Sequence, residues 1–87
     1  MAYTVIIERN ALRDLKGLPN PIRARVDEHI RALAGNPRPQ GVEKLSGSDY
    51  SYRLRVGDYR ILYEVQDKIL HILVVKIGHR REVYRRT

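Results

Sequence analysis

Cysteine is absent from this 87-residue chain, which excludes disulfides and any thiolate metal site and suits a reducing cytoplasm. Long apolar runs are missing too. None approaches the roughly 20 residues of a membrane-spanning helix, and the opening MAYTVIIERN meets a charge at Glu8, too early for a signal peptide. One soluble cytoplasmic domain over residues 1–87 is expected, with no membrane partner. Catalytic signatures are scarce as well. The chain has no Gly-rich phosphate loop, no Ser-His-Asp arrangement and no paired carboxylates. Its three histidines, His29, His71 and His79, lie far apart without a carboxylate at metal-ligand spacing. Neither a metal nor a cofactor is expected, and any catalysis falls to Arg, Tyr and His.

Positive charge is what the chain does have. Its 17 Lys/Arg against 10 Asp/Glu give a net charge of +7. The excess is uneven: residues 1–50 hold 8 Lys/Arg against 6 Asp/Glu, while residues 51–87 hold 9 against 4. A basic C-terminal part attracts nucleic acid, an acidic protein or an anionic membrane, and charge alone does not choose among them. The hydrophobic share of 43% supports folding around a single small core.

Periodicity orders the elements. Residues 2–8 alternate as a strand with Tyr3, Val5 and Ile7 on one face. Asn10 is a candidate cap for a helix bearing Leu12, Leu15 and Leu18, stopped by Gly17 and Pro19. Asn20-Pro21 restarts a helix whose stripe is Ile22, Val26, Ile30 and Leu33, ended by Gly35-Asn36-Pro37. The two helices make a hairpin whose apolar faces need a sheet. A turn-rich connection over 37–49, anchored at Val42 and Leu45, leads to strands at 50–56, 59–65 and 69–77. The last, ILHILVVKI, is apolar on both faces until Lys76 and is expected to lie centrally in the sheet.

The stretch YRLRVGDYRILYEV, residues 52–65, carries the sharpest signal. A two-residue Gly57-Asp58 turn pairs Val56 with Tyr59, Leu54 with Ile61 and Tyr52 with Tyr63 on an apolar face. The opposite face then holds Arg53, Arg55 and Arg60 together, with Arg55 directly across from Arg60. Opposed like charges destabilise such a pair. That face is either merely solvated or waiting for an anion, and Arg suits bidentate phosphate binding. A next turn at Gln66-Asp67-Lys68 would pair Tyr59 with Val75 and start the basic tail, GHRREVYRRT, beside the arginines. Tyr84 in that tail serves either the basic face or the core of a short terminal helix. His71 is expected to share the core face with Tyr63, and His29 to pack at a boundary. His79 alone has a plausible chemical role, as an acid or a phosphate contact.

These residues resemble a family. MAYTVIIERNALRDLKGLP, EKLSG, YRLRVGDYRILYEV and KIGHRREVYR, in order over nearly the whole chain, are similar to the RelE-type toxins of toxin–antitoxin pairs. The resemblance implies an α+β fold: an N-terminal strand, a helical hairpin, a three-strand antiparallel meander, helices on one face of a small sheet, and a short C-terminal tail or helix. It implies a ribosome-dependent, metal-independent endoribonuclease that cuts mRNA in the decoding site, leaving 2′,3′-cyclic phosphate and 5′-hydroxyl ends. Arg53, Arg60, Arg80 and Tyr84 match the catalytic positions; Arg55, His79 and Arg81 are the implied RNA contacts. Ser51 departs from the pattern, standing where some relatives carry Lys. The implied partners are an acidic RelB-like antitoxin, the ribosome with its mRNA, and operator DNA only through the antitoxin complex. The sister group, the ParE-type toxins, shares the fold but poisons DNA gyrase and lacks the catalytic set.

Overall fold

The computed structural model describes residues 2–81. The described chain runs β1 (Thr4–Ile7), α1 (Arg9–Lys16), α2 (Asn20–Ala32), β2 (Glu43–Lys44), β3 (Ser51–Val56), β4 (Tyr59–Gln66), a 3-10 turn (Asp67–Ile69) and β5 (His71–His79). Sheet order is β1-β5-β4-β3-β2, with β1 parallel to β5 and every other pair antiparallel. The long apolar strand is therefore interior, as its two apolar faces require. Among the described residues, no helix is long and apolar enough to cross a membrane.

Both helices lie on one face of the sheet. Ala11 and Leu15 of α1 and Val26 and Ile30 of α2, with Leu33 just beyond, meet the inward residues of β3, β4 and β5. The α2 stripe is as the spacing implies, with Ile22 packed at its margin. The α1 expectation needs correcting. Asn10 lies inside the helix and Glu8 is the cap residue, so the apolar stripe is rotated: Ala11 is fully buried and Leu12 is exposed.

Strand β5 carries a bulge. Leu62 pairs with Lys76 but Tyr63 with Val74, leaving Val75 as the extra residue. The bulge resets the alternation, so that Ile72, Val74 and Ile77 all point inward. The connection before β5 is also longer than a three-residue turn, because the 3-10 turn is followed by Leu70 with φ of 54°. Together these overturn the expected Tyr59–Val75 pairing: Tyr59 lies opposite His79. His71 pairs with Gln66 and Thr4, away from the core face that holds Tyr63, so its expected core position is overturned too.

Beyond Val74, β1 no longer covers the edge of β5. Helix α1 takes over, with Asp14 Oδ2 accepting the Ile77 N–H at 3.2 Å and pairing with Lys76 Nζ at 3.2 Å. A carboxylate thus blunts a strand edge that would otherwise invite pairing.

A polar cluster closes the other end of the barrel-like layer of side chains. Arg38 Nε donates to Tyr52 Oη at 2.8 Å and its Nη2 to Asp67 Oδ2 at 2.7 Å, while Tyr3 Oη donates to Asp67 Oδ1 at 2.6 Å. Tyr63 stacks on Tyr52 at 5.8 Å and donates to Pro37 O at 2.8 Å. The 37–49 connection is pinned to β3, β4 and the 3-10 turn at once. Burial pushes the Tyr63 phenol up, and hydrogen bonds from Arg38 and then Tyr3 hold the Asp67 carboxyl below its ordinary value.

A depressed folded-state pKa contributes stability above the unfolded value, near 3.9 (roughly), and loses it as pH falls through the folded value. We expect the urea midpoint to drop as pH falls below about 4. Asp67→Asn should lower the midpoint at pH 6 and flatten that acid limb; an unchanged acid slope would show that other carboxylates carry it.

Candidate functional site

The hairpin pairs as its alternation implies. Val56 lies opposite Tyr59, Leu54 opposite Ile61, Tyr52 opposite Tyr63, Arg55 opposite Arg60 and Arg53 opposite Leu62. Arg53, Arg55 and Arg60 therefore share the face away from the helices. Their environments differ sharply.

Arg53 is paired. The short strand β2 puts Glu43 opposite it, and Glu43 Oε1 accepts from Arg53 Nη2 at 3.1 Å and Nε at 3.3 Å. This carboxylate relieves the like-charge face, and sequence reasoning missed it because a two-residue strand shows no alternation. Arg55 is exposed. Arg60 is the surprise: only 6% exposed, it is the buried charged residue of the described fold. Its Nη1 donates to Gly57 O at 3.3 Å and Tyr59 O at 3.1 Å. Among the described residues no carboxylate pairs with it. Across the next strand, Arg60 faces Gly78, which is itself buried.

The tail departs beside this turn. The Arg80 N–H donates to Asp58 O at 2.9 Å, and the His79 ring meets Tyr59 edge-to-face at 5.6 Å. His79 Nδ1 accepts the Arg81 N–H at 3.3 Å, which leaves the neutral ring's proton on Nε2. Arg80 and Arg81 are exposed. The described positions Arg55, Arg60, His79, Arg80 and Arg81 thus gather around the Gly57-Asp58 turn, and Tyr84 lies outside the described residues. Glu64 sits at the opposite end of the same face, facing Ser51 and Leu73. Ser51 Oγ is engaged by Ser48 Oγ at 2.9 Å, a local turn contact. His29 is exposed on α2, with Nδ1 donating to Arg25 O at 2.8 Å. Chemically, the turn end of the face can neutralise an anion; it offers guanidinium groups and one imidazole, and the carboxylate nearest in the chain, exposed Asp58, forms no ion pair with them among the described residues.

A family model described as the ParE toxin of the type II toxin–antitoxin system parDE matches residues 5–84. The chain is 37% identical over 90 residues to the putative toxin RelE1 of Methanocaldococcus jannaschii, covering 98% of each. It is 30% identical over 88 residues to the mRNA interferase toxin RelE of Escherichia coli, covering 97% of this chain and 92% of that one. The archaeal RelE–RelB complex from Pyrococcus horikoshii superposes with a TM-score of 0.82 at 34% identity, over 92% of this chain and 97% of that chain. The chain belongs to the RelE/ParE toxin superfamily and is of the RelE type.

For a RelE-type toxin the placement of Arg60 has a consequence for stability. A buried cation held, among the described residues, by carbonyls costs desolvation that no ion pair there offsets. Arg60→Met keeps the stem and removes the charge, so we expect it to be neutral or stabilising by about 1–2 kcal/mol. Arg60→Ala also removes the packing and should cost about 1–3 kcal/mol. Denaturation midpoints of the two variants decide this; equal destabilisation would mean the charge itself holds the turn.

Proposed function

We propose that this chain is the toxin of a toxin–antitoxin pair and a ribosome-dependent, metal-independent mRNA endoribonuclease of the cytoplasm, neutralised by an acidic RelB-like antitoxin. The observation that carries the reading is Arg60, buried at the hairpin turn with only carbonyl oxygens as partners among the described residues, Arg55 opposite it and Arg80 leaving beside it. Such a cation cluster, without a carboxylate partner among the described residues, is suited to a phosphodiester. The Escherichia coli relative named an mRNA interferase and the RelB complex of the Pyrococcus relative point the same way.

In the proposed reaction a ribose 2′-oxygen attacks the adjacent phosphorus and the bond to the 5′-oxygen breaks. The 2′-hydroxyl proton is lost, the leaving oxygen gains one, and the products are a 2′,3′-cyclic phosphate and a 5′-hydroxyl. Arg60 and Arg80 would offset charge developing on the phosphorane oxygens. Arg55 and Arg81 would hold flanking phosphates, and Arg53 would join once RNA competes with Glu43. His79, whose Nδ1 accepts the Arg81 N–H, would act as a proton donor through Nε2. Tyr84 is the second proton-transfer candidate. Operator DNA would be reached only through the antitoxin complex.

The matched family model names a ParE toxin, so a gyrase-binding inhibitor without nuclease activity is the second reading. Inducing the chain and mapping mRNA 5′ ends separates the two: new ends at codon-sized positions support the nuclease, and none with impaired gyrase supports the inhibitor.

Because guanidinium groups stabilise charge but carry protons poorly, the 2′-oxygen must already stand in line with the leaving oxygen. Orientation of that kind is worth about 7–11 kcal/mol in favourable cases. We expect one mRNA to be cut far faster in a programmed ribosome with an open A site than free in solution. Equal rates would mark a self-sufficient ribonuclease.

The net charge of +7 predicts electrostatic capture of the antitoxin. Stopped-flow association should slow steeply as salt is raised from about 0.01 M to 1 M, where screening shortens from roughly 30 to 3 Å. A flat profile would remove electrostatics from the encounter.

A further inference from the structure

Strand β2 pairs with Tyr52 and Arg53, so among the described residues the edge of β3 from Leu54 onward has no neighbouring strand. The chain before β2 turns away there, with Gly41 at φ of 90°. Between this open edge and the C-terminal end of α2 lies a cavity of about 340 Å³ with an apolar floor of Ala32, Leu33 and Leu54. It is at the small end of the range for ligand pockets, sized for one nucleoside rather than a dinucleotide.

The rim is polar. Asn36, Gln40, His29 and Arg55 surround the opening. A carboxamide presents a donor and an acceptor side by side, the pattern that base edges demand. The His29 bond to Arg25 O through Nδ1 leaves Nε2 as an acceptor at the rim. No carboxylate lines the cavity. Arg55 belongs to two places at once: it borders the cavity, and it stands directly across from Arg60. Adjacent strands are about 4.8 Å apart, so an RNA phosphate on Arg60 is within one nucleotide of Arg55.

We propose that this cleft is a nucleobase pocket for the RNA nucleotide flanking the scissile step, whose phosphate rests on Arg55. The proposal rests on the nuclease reading of the arginine face. An unstacked base would lie on the aliphatic floor between imidazole and guanidinium planes and be read by Asn36 and Gln40, the way single-stranded RNA is recognised. A peptide strand fits the site less well. Register leaves only Arg55 with outward-facing main-chain groups before the Gly57 turn, too few for an added strand.

The test uses the full chain, Ala32→Phe to fill the cavity, and the double variant Asn36→Ala/Gln40→Ala; all three positions are solvent-exposed, so the fold should persist. Ribosome-held mRNAs varied at the flanking base are cut and mapped. We expect the unsubstituted chain to favour one flanking base by about tenfold, as a bidentate amide–base contact discriminates. Both variants should keep cutting but lose the preference. A preference unchanged in both overturns the pocket while leaving the nuclease reading intact. In parallel, side-chain amide signals of Asn36 and Gln40 are followed by NMR as a 2′-O-methylated tetranucleotide, which cannot be cut, is added. They should move with it and not with its abasic counterpart. If even the unsubstituted chain cuts nothing, the nuclease reading fails and this titration alone decides the pocket, with unmoved signals overturning it. Signals that move with a polyglutamate peptide and not with the tetranucleotide assign the cleft to a protein partner and overturn it as well.

Discussion

The Gly57-Asp58 turn sets the parity on which the rest of the molecule depends. Gly57 has φ of 59°, the positive value that the first central residue of a type II′ turn requires. Two residues in the turn put Val56, Leu54 and Tyr52 on the helix side together with Tyr59, Ile61 and Tyr63. The same parity sends Arg53, Arg55 and Arg60 to the other side. A turn one residue longer would reverse one strand relative to its partner, mixing core with charge. The core and the basic face are consequences of a single local geometry.

That geometry creates an electrostatic problem which the fold solves unevenly. Glu43 meets Arg53 across β2, and Asp67 meets Arg38 at the far end. At the turn, nothing acidic meets Arg60 among the described residues. Carbonyl dipoles of Gly57 and Tyr59 take its Nη1 instead. Stability and openness to an anion pull in opposite directions at this position, because a carboxylate that stabilised Arg60 would also neutralise it. The residual destabilisation is borne by a core of buried aliphatic and tyrosine side chains on the opposite face.

The bulge at Val75 links the sheet to the site. By shifting the register it lets β5 end with His79 against Tyr59 and Arg80 against Asp58. The tail thus leaves the sheet at the hairpin turn, and the basic residues of two distant segments meet. A site built this way is strong in fixed positive charge and weak in proton carriers. Chemistry of that kind depends on a substrate delivered in reactive geometry.

Much of this was legible in the residues themselves. Alternation around Gly57-Asp58 determined the hairpin pairing, helical spacing determined the Ile22–Leu33 stripe, and a doubly apolar run determined that β5 is interior, because each depends on neighbours within a few residues. What those short-range patterns could not carry was settled by tertiary structure. The burial of Ala11 in place of Leu12 follows from how α1 lies along β5. The Glu43–Arg53 pair needs a two-residue strand that forms only on the edge of β3, and the His79–Tyr59 contact needs a bulge and a 3-10 turn together. The depth of Arg60, 6% exposed on a face that alternation assigns to solvent, is likewise not visible in the sequence. The sequence by itself determined which residues share a face; tertiary structure decided which are buried, paired or brought together, because burial and charge pairing are properties of distances between segments far apart in the chain.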